Sequence, residues 1–207
     1  MKVFFLGATV LVLFAATSVF TAAQGTVMNW TIDGVKREAL VFAPKPVPAT
    51  TAVSHPLVFA FHGHGGNMQG ASTQMHIQTI WPEAIVVYPQ GVNRPSHVDT
   101  EGVQPGWQVE ANQANGNVGN QDLDFFDAML ATMHQKFTVD DKRVYSTGFS
   151  NGGVFSYLLW AERSKTIAAI GEVAGRLWDS EHLTEPRALL ATSPIAAIVL
   201  LRSAHSR

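Results

Sequence analysis

Ser150 lies within Gly148-Phe149-Ser150-Asn151-Gly152-Gly153, a G-x-S-x-G arrangement. A serine hydroxyl is a weak nucleophile on its own. To do chemistry it must be exposed, aimed at a base, and set beside donors that stabilise developing negative charge. A sharp strand-to-helix turn meets these needs: it thrusts Ser150 outward and puts the N–H groups of a helix N-terminus next to it. Glycines two residues before and two after give the flanking elements room to approach. The ordinary alternative for such a serine is a helix N-cap.

A second group, His62-Gly63-His64-Gly65-Gly66, follows the apolar run Leu57-Val58-Phe59-Ala60-Phe61. A Gly-rich turn at this strand end can turn a backbone N–H toward the nucleophile, forming with the N–H of Asn151 a two-donor oxyanion hole. His-x-His is also a fragment of a metal site, which gives a competing reading as a metallohydrolase using His62 and His64. That reading needs further ligands. Gly66 and Asn67 stand where a His-x-His-x-Asp-His signature would continue.

These groups must be held by strands and helices, and the pattern supplies them. Residues 27–32 and 35–42 flank Asp33-Gly34 and read as a hairpin, because Asp-Gly supplies the positive φ angles of a tight turn. Residues 57–61 and 84–88 are continuous apolar runs, as expected of strands buried on both faces. Phe126, Met129, Leu130, Met133 and Phe137 fall at helical spacing. Residues 143–147 read as a strand, 151–164 as a helix with Phe155, Leu158 and Leu159 on one side, and 167–173 as a strand. Strands alternating with helices predict an α/β protein with a mostly parallel sheet. Residues 91–121, rich in Gly, Asn and Gln, are too long for a plain connector and read as a functional or mobile loop.

Composition narrows the function. With 14 basic and 16 acidic residues the formal net charge is −2, so no general electrostatic attraction draws the chain to nucleic acid or an anionic membrane. The absence of cysteine excludes disulfides, thiolate zinc sites and a thiol nucleophile. Met1-Lys2, an apolar run and Thr21-Ala22-Ala23 read as a secretory leader over 1–23, cut before Gln24. The competing reading is a membrane anchor, but no basic stop-transfer cluster follows. Residues 24–207 then form one domain, exported and without stable membrane association. Asn29-Trp30-Thr31 is a glycosylation triplet.

Phe61-His62-Gly63, Val87-Tyr88-Pro89-Gln90-Gly91, Gly106-Trp107-Gln108, Asp124-Phe125-Phe126, Val139-Asp140, Arg143-Val144-Tyr145 and the Ser150 motif occur in one order. From about Leu57 to Leu190 the chain resembles polyhydroxybutyrate depolymerases and related secreted feruloyl and acetyl-xylan esterases. The resemblance implies an α/β-hydrolase fold with a mostly parallel central sheet. It also implies hydrolysis of a small or polymeric ester through an acyl-serine intermediate, with no cofactor and no metal. It makes Ser150 the nucleophile and gives the oxyanion hole to the backbone N–H groups of His64 and Asn151. Trp107 either borders the substrate cleft, as in such enzymes, or plugs the edge of the core.

The same resemblance marks a departure. An α/β-hydrolase orders its triad as Ser, then Asp or Glu, then His. After Leu190 the resemblance fades, and no acidic residue occurs from Ala188 to Arg207. The ending reads as truncated or frame-shifted, with the C-terminal strands missing. Asp179 and His182 stand in the right order but are only three residues apart, whereas a triad needs separate loops. His205 would serve as base only if the tail folded back. An esterase with little or no activity is therefore one expectation, and a catalytically dead remnant or binding protein is the alternative.

Overall fold

The computed structural model describes residues 25–44, 53–113, 119–175 and 188–191. Residues 1–23, read above as a leader, and Asp179, His182, His205 and the run 195–201 lie outside these residues. The described chain opens with β1 (Thr26–Ile32) and β2 (Val35–Phe42), joined through Asp33 at φ 48° and Gly34 at φ 79°. Both central residues have positive φ, as the twist of a tight hairpin requires.

Strand β3 (His55–Phe61) leads into helix α1 (Met68–Met75), the short α2 (Ile77–Ile80) and strand β4 (Ile85–Pro89). A small ribbon of β5 (Val92–Asn93) and β6 (Pro105–Gly106) precedes α3 (Gln121–Lys136). The described chain ends with β7 (Val139–Phe149), α4 (Asn151–Glu162), β8 (Ala169–Val173) and β9 (Ala188–Ala191).

Seven strands form one sheet in the order β1-β2-β4-β3-β7-β8-β9. Strand β2 pairs antiparallel with β1 and β4, and every pairing from β4 to β9 is parallel. The chain crosses from β3 to β4 on one side and reaches β7 on the other. This reversal makes the carboxyl ends of β3 and β7 the topological switch point, the position at which open α/β sheets bind ligands. Phe61 pairs with Gly148 in the β3–β7 register, so the turns carrying His62 and Ser150 emerge side by side.

The core lies on both faces of the sheet. Along β3, Leu57, Phe59 and Phe61 join the cluster under α3 and α4, with Phe126, Met129, Phe155 and Leu159. Val58 and Ala60 point the other way, toward Met68, Met75 and Trp81. This is the period-two alternation of a strand buried on both sides. Burying each large apolar side chain contributes roughly 1.5–3 kcal/mol, enough to fix the register of the strands that end at the switch point.

Two elements differ from the sequence reading. Helix α1 has little apolar periodicity, yet it forms because Asn67 caps it, its Oδ1 accepting from the Gly70 N–H at 2.7 Å. Helix α4 is buried along its whole length from Gly152 to Ala161, not on one side only. A helix apolar all round packs on more than one surface. Its buried Ser156 hydroxyl is satisfied: Oγ accepts from Ser146 Oγ of β7 at 2.8 Å and donates to the Gly152 carbonyl at 3.1 Å.

Candidate active site

Ser150 stands between β7 and α4 with φ 51° and ψ −115°. This is outside the extended region of a capping residue, and its side chain makes no capping hydrogen bond. A non-glycine residue held there costs on the order of 1–3 kcal/mol, so the surroundings must impose it. They do: the Ser150 N–H donates to the Val173 carbonyl at 2.8 Å, and the Val154 N–H donates to the Ser150 carbonyl at 3.0 Å.

The glycines of the motif have a steric cause. A Cβ at Gly148 would lie 2.3 Å from Gly152 backbone, and one at Gly152 would lie 2.4 Å from the Phe61 carbonyl oxygen. The elbow therefore packs backbone against backbone, directly onto the end of β3.

The turn after β3 is tied down at each residue. The Gly66 N–H donates to the Gly63 carbonyl at 2.9 Å, and the Gly65 N–H donates to the Pro105 carbonyl at 2.8 Å. Gly63 lies against the Phe149 ring, where a Cβ would come within 3.0 Å of Cδ1. His62 Nδ1 donates to the Gly63 carbonyl at 2.7 Å while Nε2 accepts from the Gly91 N–H at 2.9 Å. Only the neutral imidazole with its proton on Nδ1 satisfies both bonds. Burial is the main influence that lowers the His62 pKa, and the Gly63 bond and Asp122 charge offset it only in part. Both His62 ring nitrogens are thus committed to backbone, which leaves the proposed His62–His64 metal pair without a ligand atom from His62.

His64 has a partner that the sequence did not reveal. Its Nε2 lies 3.3 Å from Asp99 Oδ2 and 3.3 Å from Ser96 Oγ. Burial would raise the Asp99 pKa. Hydrogen bonds from the N–H groups of Gln104, Val103 and Gly102 and from His64 outweigh that and hold it below the usual carboxylate range. His64 Nδ1 is buried and has no hydrogen-bond partner among the described residues. It faces Gly106, whose missing Cβ would also approach Asn151 Oδ1. His64 and Asn151 therefore flank one backbone position beside the elbow. Among the described residues, no acceptor meets the backbone N–H of either.

Trp107 corrects one expectation. Its indole does not border the cleft; it is 1% exposed and sits between Phe61 and Phe155, with ring centroids at 5.0 and 5.5 Å. Its Nε1 donates to the His62 carbonyl at 2.9 Å. Its backbone N–H donates to Asn151 Oδ1 at 2.7 Å, and Asn151 Nδ2 donates to its carbonyl at 3.0 Å. Trp107 plugs the core edge and clamps the two turns together. Asn151, read from sequence for its backbone alone, also brackets the loop through its side chain.

A buried ion cluster anchors that loop. Asp122 in the first turn of α3 is fully buried, with Arg37 Nη2 at 2.8 Å and Arg94 Nη1 at 2.8 Å. It also accepts from the Gln108 N–H at 2.7 Å. Burial, the leading influence, lowers the Arg94 pKa. The Arg37 guanidinium lies 4.2 Å from the Phe125 ring centroid, a cation–π contact. The signal was present in the sequence: Arg37 shares a strand face with Ala39 and Val41, so it needed a buried partner.

No family model matches the chain. It is 26% identical over 145 residues to a bifunctional acetylxylan esterase/xylanase of Neocallimastix patriciarum, covering 69% of this chain and 18% of that protein. It is 29% identical over 130 residues to feruloyl esterase C of Emericella nidulans, covering 59% and 41%. It is 30% identical over 162 residues to feruloyl esterase D of Neurospora crassa, covering 75% and 51%. The chain thus spans at most about half the length of these relatives. Among solved structures, a ferulic acid esterase superposes with a TM-score of 0.57 at 16% identity, covering 75% of this chain and 61% of that one. The acetyl xylan esterase of Aspergillus awamori gives 0.53 at 19% identity, covering 73% and 52%. The chain has the α/β-hydrolase fold, and its relatives are feruloyl and acetylxylan esterases.

Proposed function

We propose that this chain is the nucleophile-bearing part of a secreted serine esterase that cleaves feruloyl or acetyl esters on polysaccharide. The observation that carries this is the Ser150 elbow: positive φ, no capping bond, and a glycine-packed seat beside the His62–Gly66 turn. In this reading Ser150 Oγ attacks the ester carbonyl, and the N–H groups of His64 and Asn151 receive the oxyanion. The alcohol leaves with a proton, and water releases the acyl group from Ser150. A base that takes the Ser150 proton and passes it to the leaving alcohol follows Ser150 in chain order, where His182 and His205 stand. The relatives named above support feruloyl and acetyl esters, and none of them is a polyester depolymerase, so the polyhydroxybutyrate alternative gains nothing. Export rests on the Lys2, apolar-run and Thr21-Ala22-Ala23 pattern.

Hydrolysis of methyl ferulate and of acetylated xylan tests the reading. The wild type releases ferulate or acetate, and Ser150→Ala lowers kcat by at least about 10³-fold with an unchanged melting temperature. A wild type as inactive as Ser150→Ala would favour the catalytically dead remnant. Equal activity in both would remove Ser150 from the chemistry.

A further inference from the structure

Asn29-Trp30-Thr31 is the sole Asn-x-Ser/Thr triplet in the 207 residues. The structure places it on β1, one of the two edge strands of the described sheet. Trp30 fixes which side of that strand faces out. Its indole Nε1 donates to Thr132 Oγ1 of α3 at 2.9 Å, and its ring meets Phe125 edge-on at 5.5 Å. Met28, Trp30 and Ile32 pack on the core, so Asn29 and Thr31 share the opposite, exposed face. Across the hairpin they stand opposite Glu38 and Lys36. Among the described residues, neither side chain has a hydrogen-bond partner. Asn29, Trp30, Thr31 and Lys36 line an open surface depression, so no packed element covers the amide.

We infer that Asn29 is an N-glycosylation site, a proposal that rests on the secretory reading above. The co-reactant is a lipid-diphosphate-linked oligosaccharide of the secretory compartment. The Asn29 amide nitrogen forms a bond to C1 of the first sugar while the bond from C1 to the diphosphate oxygen breaks. The lipid diphosphate departs with the electron pair, and the amide proton passes to a base of the transferase. The Thr31 hydroxyl is the group that the transferase recognises at the third position. Residues 26–32 form a seven-residue edge strand. Such an edge presents unpaired N–H and C=O groups to other chains, and natural sheets blunt it. A glycan at the middle of β1 shields that edge.

Translation of the full chain with endoplasmic-reticulum microsomes tests the site. The protease-protected product should migrate slower by one core oligosaccharide and return on endoglycosidase H treatment. Asn29→Gln and Thr31→Ala should abolish the shift, while Thr31→Ser keeps it. A protected wild type without the shift would overturn the site and leave secretion standing. A shift that survives Asn29→Gln would also overturn it. A wild type left unprotected would overturn the secretory reading, and the site with it.

Discussion

At the scale of single residues, His62 ties the turn after β3 to the site. Its neutral form accepts the Gly91 N–H, and protonating Nε2 would set two donors against each other. Its folded pKa lies below the ordinary value of 6.5, so the unfolded chain takes up the proton first. The resulting stability is full above about 6.5 and declines as the pH falls from there toward the folded value. His62→Gln keeps an acceptor but cannot titrate. The melting temperature of the wild type should therefore fall more steeply between pH 7.5 and 5 than that of His62→Gln. Parallel curves would show that His62 does not carry this dependence. The residues that bear a recognisable motif, Ser150 and the His62–Gly66 turn, were legible in the sequence. Asp99 was not, because it lies 35 residues from its partner His64 in a loop without periodicity.

At the scale of elements, the alternation of apolar runs and turns announced the hairpin and strands β3, β4, β7 and β8, because burial dictates those patterns. The described residues between Gly91 and Gln113 were unreadable for the opposite reason: polar contacts hold them, and those leave no period. Their anchor is Asp122 at the start of α3, bound to Arg37, Arg94 and the Gln108 N–H. Two buried guanidiniums share that carboxylate, so removing it leaves two uncompensated charges. Asp122→Asn should cost about 3–5 kcal/mol, lowering the melting temperature by about 10 °C. Arg94→Met should cost less, because Arg37 and Asp122 remain as a matched pair. Thermal denaturation checks this, and equal losses in the two variants would contradict it.

At the scale of the whole molecule, the parallel sheet brings two turns that are 88 residues apart in numbering (His62 and Ser150) to neighbouring strand ends. The β3–β7 register and the contact of Gly152 with the Phe61 carbonyl achieve this, and Trp107 locks it from one side. In the function proposed above, the fold uses this backbone strain to present Ser150 as a nucleophile. Peptide mapping after reaction with a fluorophosphonate tests it most directly. One phosphonyl group should appear on Ser150, be lost in Ser150→Ala, and be prevented by prior denaturation. An adduct on another residue, or none on Ser150 in the folded chain, would contradict the account.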